Sequence, residues 1–152
     1  MGTNVFHCGA PGTGQTSKIC NNLCLAIQMI SISEGLSLGE KLGIDPKVLS
    51  GIMGTSTGSC WSLNSYNPRP GVMENVPSSN NYDGGFGVSL MKKDLSIVLD
   101  SAAQVNLDLQ FGTKAIEYFH ELERQGKGKK DFGVVYQYIN SLEKKKKDET
   151  SD

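Results

Sequence analysis

The chain has 152 residues, enough for one domain with a core of its own and no need of staples. Fifteen Lys and Arg against 16 Asp and Glu leave a formal charge of -1, which argues against a general affinity for nucleic acid or an anionic membrane. The four cysteines, Cys8, Cys20, Cys24 and Cys60, form no C-x-x-C pair, so no zinc or redox centre and no metal site of any kind is expected.

The first apolar run, Asn4 to Cys8, stops at Gly9 and reads as a lone strand. A single strand is not stable alone, so it is expected to belong to a sheet that this chain lacks. Gly9 to Thr16 nearly fits the phosphate-binding loop G-x-x-x-x-G-K-[ST]. Gln15 stands where the phosphate-reaching lysine belongs, so ATP binding is not expected.

From Gly12 to Leu42 the sequence predicts one long helix, about 40 Å at 1.5 Å per residue. Its apolar residues, from Ile19 through Ile30 to Leu42, fall on nearly every face, which predicts burial in a core. Asn21, Asn22, Gln28 and Glu34 interrupt the run, so a membrane span is not expected. Lys18, Asn21 and Asn22 lie three and four residues apart and share a face. A lysine and two amides beside a glycine-rich start read either as a site or as a solvated first turn.

Gly43 is placed for a left-handed helix cap. Asp45 as N-cap, Pro46 at the first helical position and an Ile44–Leu49 staple predict a second helix to about Gly54 or Ser56. Ser59 is a candidate cap for a short helix through Trp61 and Leu63. Tyr66 to Gly85 is rich in Pro, Gly and Asn, and a segment of that length is either functional or an ordered crossover packed by Val72, Met73, Val76 and Tyr82.

A helix from about Leu90 carries the stripe Met91, Leu95, Val98 and Ala102. Another spans roughly Leu109 to Gln125, with Ile116, Phe119 and Leu122 inward and Gly126 past its end. Asp131 is placed to cap a last helix bearing Val134, Val135, Tyr138, Ile139 and Leu142. The lysine run 144–147 and the acidic residues after it read as a flexible charged tail over 144–152. Nothing after Cys8 alternates with period two. The fold class expected is therefore all-α, a helical bundle around one long buried helix, with a short orphan strand at the N-terminus.

These motifs, taken in order, resemble the 3-hydroxyisobutyrate dehydrogenase branch of the β-hydroxyacid dehydrogenase family, which also includes 6-phosphogluconate dehydrogenase. The family pattern G-x-G-x-x-x-K-x-x-N-N stands as Gly12 to Asn22 and the lysine–aspartate–leucine motif as Lys93-Asp94-Leu95. Between them lie Cys60-Trp61-Ser62, Tyr66-Asn67-Pro68, Pro70 to Met73, Asn80 to Tyr82 and Gly84 to Gly87.

The resemblance implies a C-terminal domain like that of 6-phosphogluconate dehydrogenase. Residues 1–11 would be the last strand and linker of a Rossmann NAD-binding domain, and 12–143 an all-α catalytic and dimerisation domain. The G-x-G-x-x-G fingerprint is absent, so NAD is expected to be bound mainly by that other domain. The chain alone is then expected to be inactive.

The activity implied is oxidation of 3-hydroxyisobutyrate to methylmalonate semialdehyde, in mitochondrial valine catabolism. Lys18 is the family-matched general acid and base, a part a lysine takes where burial or a positive ring disfavours its charged form. Asn22 orients it and binds substrate, as does Asn21. Trp61 and Tyr66 are expected to close the pocket for the small acid, or else to pack a loop. Lys93 and Phe86 are expected to contact NAD, Lys93 being otherwise a surface lysine paired with a neighbouring aspartate. The partners implied are a small hydroxy acid and a second copy of the chain. A sister enzyme on another short hydroxy acid or semialdehyde, and a non-catalytic dimerisation module, are the alternatives.

Overall fold

The computed structural model describes the backbone of residues 5–148 and the side chains through Leu142. The tail expected over 144–152 lies outside the described side chains. Every regular element among the described residues is a helix. The order is α1 (Thr13–Lys41), α2 (Pro46–Gly54), α3 (Trp61–Asn64), a 3-10 turn (Pro77–Asn80), α4 (Val88–Gln104), α5 (Gln110–Arg124), a second 3-10 turn (Phe132–Val134) and α6 (Val135–Asp148).

No proline falls between Pro11 and Pro46, so α1 propagates unbroken for 29 residues. It is the spine of the molecule, and all five other α-helices pack on it. Its burial is narrower than the sequence suggests. Ala26, Met29, Ile32, Ser33, Leu36 and Ser37 form a buried stripe, while Lys18, Cys20, Asn21 and Cys24 are exposed. The expectation of a helix buried on all faces is corrected. α4 and α6 bond to it through Asn22–Asp94 and Ser37–Asn140, while an open cleft of about 400 Å³ lies between Thr16, Ile19 and Cys20 of α1 and Val98, Ser101 and Ala102 of α4, so the first turns are only partly covered. By length and composition α1 could cross a membrane, with a window of mean hydropathy 1.2. Here the same apolar stripe is spent on a helical core.

The orphan strand is also corrected. The described residues of that run, Val5 to Cys8, are exposed and have no regular structure, because no neighbouring strand is present to take their backbone hydrogen bonds; Asn4 lies outside the described residues. Among the described residues a bridge of strand type lies elsewhere, between Gly87 and Asp131.

Local signals account for the other helix ends. The Asp45 carboxylate accepts from the Lys47 and Val48 amides at 2.9 and 3.1 Å, and Pro46 supplies the first turn of α2. Ser59 does not cap α3. Cys60 holds that position without a side-chain bond, and the Ser59 hydroxyl accepts from Asn64 Nδ2 at 2.7 Å.

The main core joins Ala26 and Met29 of α1 to Val88, Met91 and Leu95 of α4, Phe119 and Leu122 of α5, and Phe132 and Val135. Each such side chain larger than alanine contributes about 1.5–3 kcal/mol on burial. A smaller cluster of Ile32, Leu36, Leu63 and Tyr136 closes the α2–α3 end.

The segment from Tyr66 to Gly85 is an ordered crossover. Tyr82 is buried and its hydroxyl donates to Pro68 O at 2.7 Å, while Ser78 Oγ donates to Asn67 O at 2.6 Å. Its end pairs with the loop before α6. Asp131 N donates to Tyr82 O, Phe132 N to Phe86 O and Val88 N to Lys130 O, at 2.8–2.9 Å. Two irregular segments thus satisfy each other's backbone where the candidate site lies.

Candidate functional site

Three groups of side chains stand between the first half of α1, α3 and the start of α4. The first is a polar chain across the α1–α4 contact. Asn22 Nδ2 donates to Asp94 Oδ2 at 2.6 Å, and Lys93 Nζ pairs with Asp94 Oδ1 at 2.8 Å. Asp94 is 5 % exposed, whereas the Lys93 side chain is 58 % exposed. A carboxylate only accepts, so it fixes which end of the Asn22 amide faces α4 and turns the Asn22 carbonyl away. Asn21 Nδ2 reaches that carbonyl at 3.4 Å, a long contact.

Lys18 stands one turn before Asn22, exposed, with no hydrogen bond or ion pair among the described residues. The structure therefore brings Asn22 and Lys93 together through Asp94 and leaves Lys18, on the same helix, outside that chain. The sequence places Asp94 in the lysine–aspartate–leucine motif and as a surface partner of Lys93, not as a buried acceptor for Asn22. The available signal was its register: it falls with Met91, Leu95 and Val98 on the inward face of α4.

The second group lines a groove of about 510 Å³ formed by Asn21, Cys24, Leu25 and Gln28 of α1 with Ser59, Cys60 and Trp61. Asn21 and Trp61, both expected at a substrate pocket, meet here. Gln28 and Ser59 add amide and hydroxyl groups that the sequence alone did not assign to a site.

The third group is an aromatic series. Trp61 stacks on Tyr66 at 4.8 Å between ring centroids, Tyr66 on Phe132 at 5.8 Å, and Phe86 meets Phe132 edge-on at 6.1 Å. Phe132 joins the expected substrate-side aromatics to the expected cofactor-side one. Behind them the Asp131 carboxylate, 1 % exposed, accepts from Tyr66 Oη at 2.8 Å, Phe86 N at 2.9 Å and Gly133 N at 2.8 Å. Burial pushes the Asp131 carboxyl above its ordinary value, against the pull of those donors. The Tyr66 hydroxyl is pushed up as well, first by burial and then by its bond to Asp131.

No convergent group of three or more His, Cys, Asp or Glu side chains occurs among the described residues. For a dinucleotide the fit is better. The half-buried Phe86 ring offers a flat apolar wall, and the exposed Lys93 ammonium, anchored by Asp94, offers a positive group.

Residues 12–139 match the family model described as NAD-binding of NADP-dependent 3-hydroxyisobutyrate dehydrogenase. The chain is 50% identical over 143 residues to the mitochondrial 3-hydroxyisobutyrate dehydrogenase of Bos taurus, covering 94% of this chain and 43% of that protein. It is 44% identical over 135 residues to an NAD-dependent L-serine dehydrogenase of Pseudomonas aeruginosa, covering 89% of this chain and 45% of that protein. Among solved structures, the 3-hydroxyisobutyrate dehydrogenase of Mycobacterium tuberculosis with L-serine superposes with a TM-score of 0.85 at 34% identity, over 90% of this chain and 46% of that one. The chain spans less than half the length of the curated relatives it matches.

These matches correct two expectations. NAD binding is not to be assigned mainly to a domain missing from this chain, because the matching model is an NAD-binding one and covers residues 12–139 themselves. For the same reason the fold is not to be classed as an all-α C-terminal domain of the 6-phosphogluconate dehydrogenase kind, standing apart from the NAD-binding part. The reason is chemical: the glycine fingerprint reports a pyrophosphate cradle, and its absence does not exclude contacts to the rest of a dinucleotide.

Proposed function

Since the chain belongs to the 3-hydroxyisobutyrate dehydrogenase family, we propose that it forms the NAD-contacting and substrate-facing part of a dehydrogenase for a short β-hydroxy acid. The observation that carries this reading is the Asn22–Asp94–Lys93 chain, which ties residues from both ends of the family-like pattern to one buried carboxylate. The preferred substrate is 3-hydroxyisobutyrate, with a mitochondrial location, both following the names of the most similar relatives.

NAD, when bound, supplies the acceptor for the hydride leaving the hydroxyl-bearing carbon. Lys18 Nζ, in its neutral form, takes the hydroxyl proton and returns it in the reverse direction. The Asn22 carbonyl, directed away from α4 by Asp94, accepts a hydrogen bond from Lys18 or from the substrate hydroxyl. Asn21, Trp61 and Tyr66 shape the groove for the small acid. Lys93 and Phe86 contact NAD, the one by charge and the other by its ring face. A second copy of the chain packs on the exposed part of the helical array.

A second substrate reading has its own support. L-serine also carries a hydroxyl β to a carboxylate, and it appears in the names of one relative and one structural neighbour. The test is turnover by the longest product of the reading frame that carries this chain, with 3-hydroxyisobutyrate and L-serine, each with NAD and with NADP. A kcat/KM at least tenfold higher for 3-hydroxyisobutyrate fits the first reading. A preference for L-serine replaces it with the second, and no turnover of either overturns both.

A further inference from the structure

Asp131 and Phe132 are consecutive, and both are wedged between Tyr66 and Phe86. The Phe132 ring contacts both aromatic rings, and its N–H donates to Phe86 O at 2.8 Å. One oxygen of Asp131, Oδ2, accepts from both Tyr66 Oη and Phe86 N, while Oδ1 accepts from Gly133 N. The fit leaves no spare room. A Cβ built on Gly85 would stand 2.3 Å from both Asp131 Oδ2 and Tyr66 Oη, and one on Gly133 would stand 2.9 Å from Asp131 Oδ1.

Capping a helix needs only the Oδ1 bond to Gly133 N. The second oxygen instead joins two segments 20 residues apart in sequence, one leading to Trp61 and the other to α4. Trp61 depends on this arrangement, because it is 49 % exposed and its stacking partner is Tyr66. We propose that Asp131 is a positioning residue that locks the Trp61–Tyr66 wall of the groove and the Phe86 wall into one unit, so that the small-acid side and the dinucleotide side are set by one carboxylate. The inference rests on the functional reading above for the names of the two sides, but the mechanical coupling does not.

The test has two arms. Trp61 is the only tryptophan of the 152-residue chain, so its emission reports the wall without any turnover. Asp131→Asn and Tyr66→Phe are expected to shift that emission, while Leu122→Ala, a core truncation on α5 far along the sequence, leaves it unchanged at comparable loss of melting temperature. In the longest product of the reading frame, Asp131→Asn is expected to raise KM for the hydroxy acid and for NAD together, each about two- to tenfold, the loss typical of a hydrogen bond. Tyr66→Phe is expected to raise only the KM for the acid.

Unchanged Trp61 emission in folded Asp131→Asn overturns the proposal, whatever the activity. An increase confined to one KM in Asp131→Asn also overturns it. Should Asp131→Asn fail to fold, Tyr66→Phe decides by the same emission readout, a shift supporting the coupling and no shift overturning it. Should the parent turn over neither acid, the functional reading fails and the fluorescence arm decides alone.

Discussion

Asn22 and Asp94 meet across the α1–α4 contact at 2.6 Å, and Asp94 has almost no exposure to water. An amide on one helix is thus oriented by a carboxylate on another, 72 residues away. Replacing Asp94 with Ala frees the Asn22 side chain to rotate and releases Lys93. The expected result is a fall of about tenfold or more in kcat/KM with a loss of about 1–3 kcal/mol in stability, because Asn22 keeps a half-buried amide without its acceptor. Asp94→Asn keeps the volume but adds a donor, and is expected to retain most of the stability while losing comparable activity. Steady-state kinetics beside urea unfolding separates the two effects.

Lys18 makes the simplest case. It is exposed and unpaired among the described residues, so its removal breaks no hydrogen bond or ion pair there. Lys18→Ala is expected to leave the circular dichroism spectrum and the melting temperature unchanged and to lower kcat by about a hundredfold to ten-thousandfold. Full activity in this variant would move the proton-transfer role to another group.

Much of the fold is legible in the sequence because its punctuation is local. Asp45, Pro46, Gly43 and Gly126 mark helix ends through their own backbone chemistry: α2 begins where Asp45 and Pro46 indicate, and α1 and α5 end just before Gly43 and Gly126. What was not legible depends on partners far along the chain. Whether the first turns of α1 are buried is decided by how closely α4 approaches them, with a cleft left between Thr16, Ile19 and Cys20 and the end of α4, not by the composition of α1. Asp131 illustrates the same limit at the candidate site. Its bond to Gly133 could be read locally, but its bonds to Tyr66 and Phe86 span 65 and 45 residues. Lys18 and Asn22 were legible as a face; the buried carboxylate that orients one and not the other was not.

Glu40 predicts the acid limit of the fold. It accepts from Arg69 Nε at 3.0 Å and Nη2 at 2.5 Å and also from the Tyr136 hydroxyl, tying the end of α1 to the crossover and to α6. The Arg69 hydrogen bonds, aided by Tyr136, hold its carboxyl below the ordinary value of 4.5. A group lowered in the folded state adds stability above its unfolded value, and that stability is lost as pH falls through the folded value. Urea midpoints of the parent are therefore expected to fall below pH 4.5. Glu40→Gln is expected to unfold about 1 kcal/mol more easily at pH 6 and to show a flatter decline on the acid side. Asp131 works in the opposite sense: raised in the folded state, it favours folding at low pH and loses that contribution as pH rises. An unaltered acid slope in Glu40→Gln would remove Glu40 from this role.

Gly84 and Gly85 are neighbours that separate backbone strain from close packing. Both have positive φ, 81° and 66°, which costs an alanine about 1 kcal/mol at either position. Nothing lies within 4 Å of a Cβ built on Gly84. At Gly85 the same atom meets Asp131 Oδ2, Tyr66 Oη and Pro77 Cγ within 2.7 Å. Gly84→Ala is therefore expected to lose about 1 kcal/mol and to keep the Trp61 emission of the parent. Gly85→Ala is expected to lose about 1–3 kcal/mol more, because the added methyl forces the Tyr66 hydroxyl off the carboxylate. It is also expected to shift the Trp61 emission in the same direction as Tyr66→Phe, since both break that bond. Equal losses in the two alanine variants would mean that the carboxylate pocket yields easily, and the rigid seat assigned to Tyr66 would then fall.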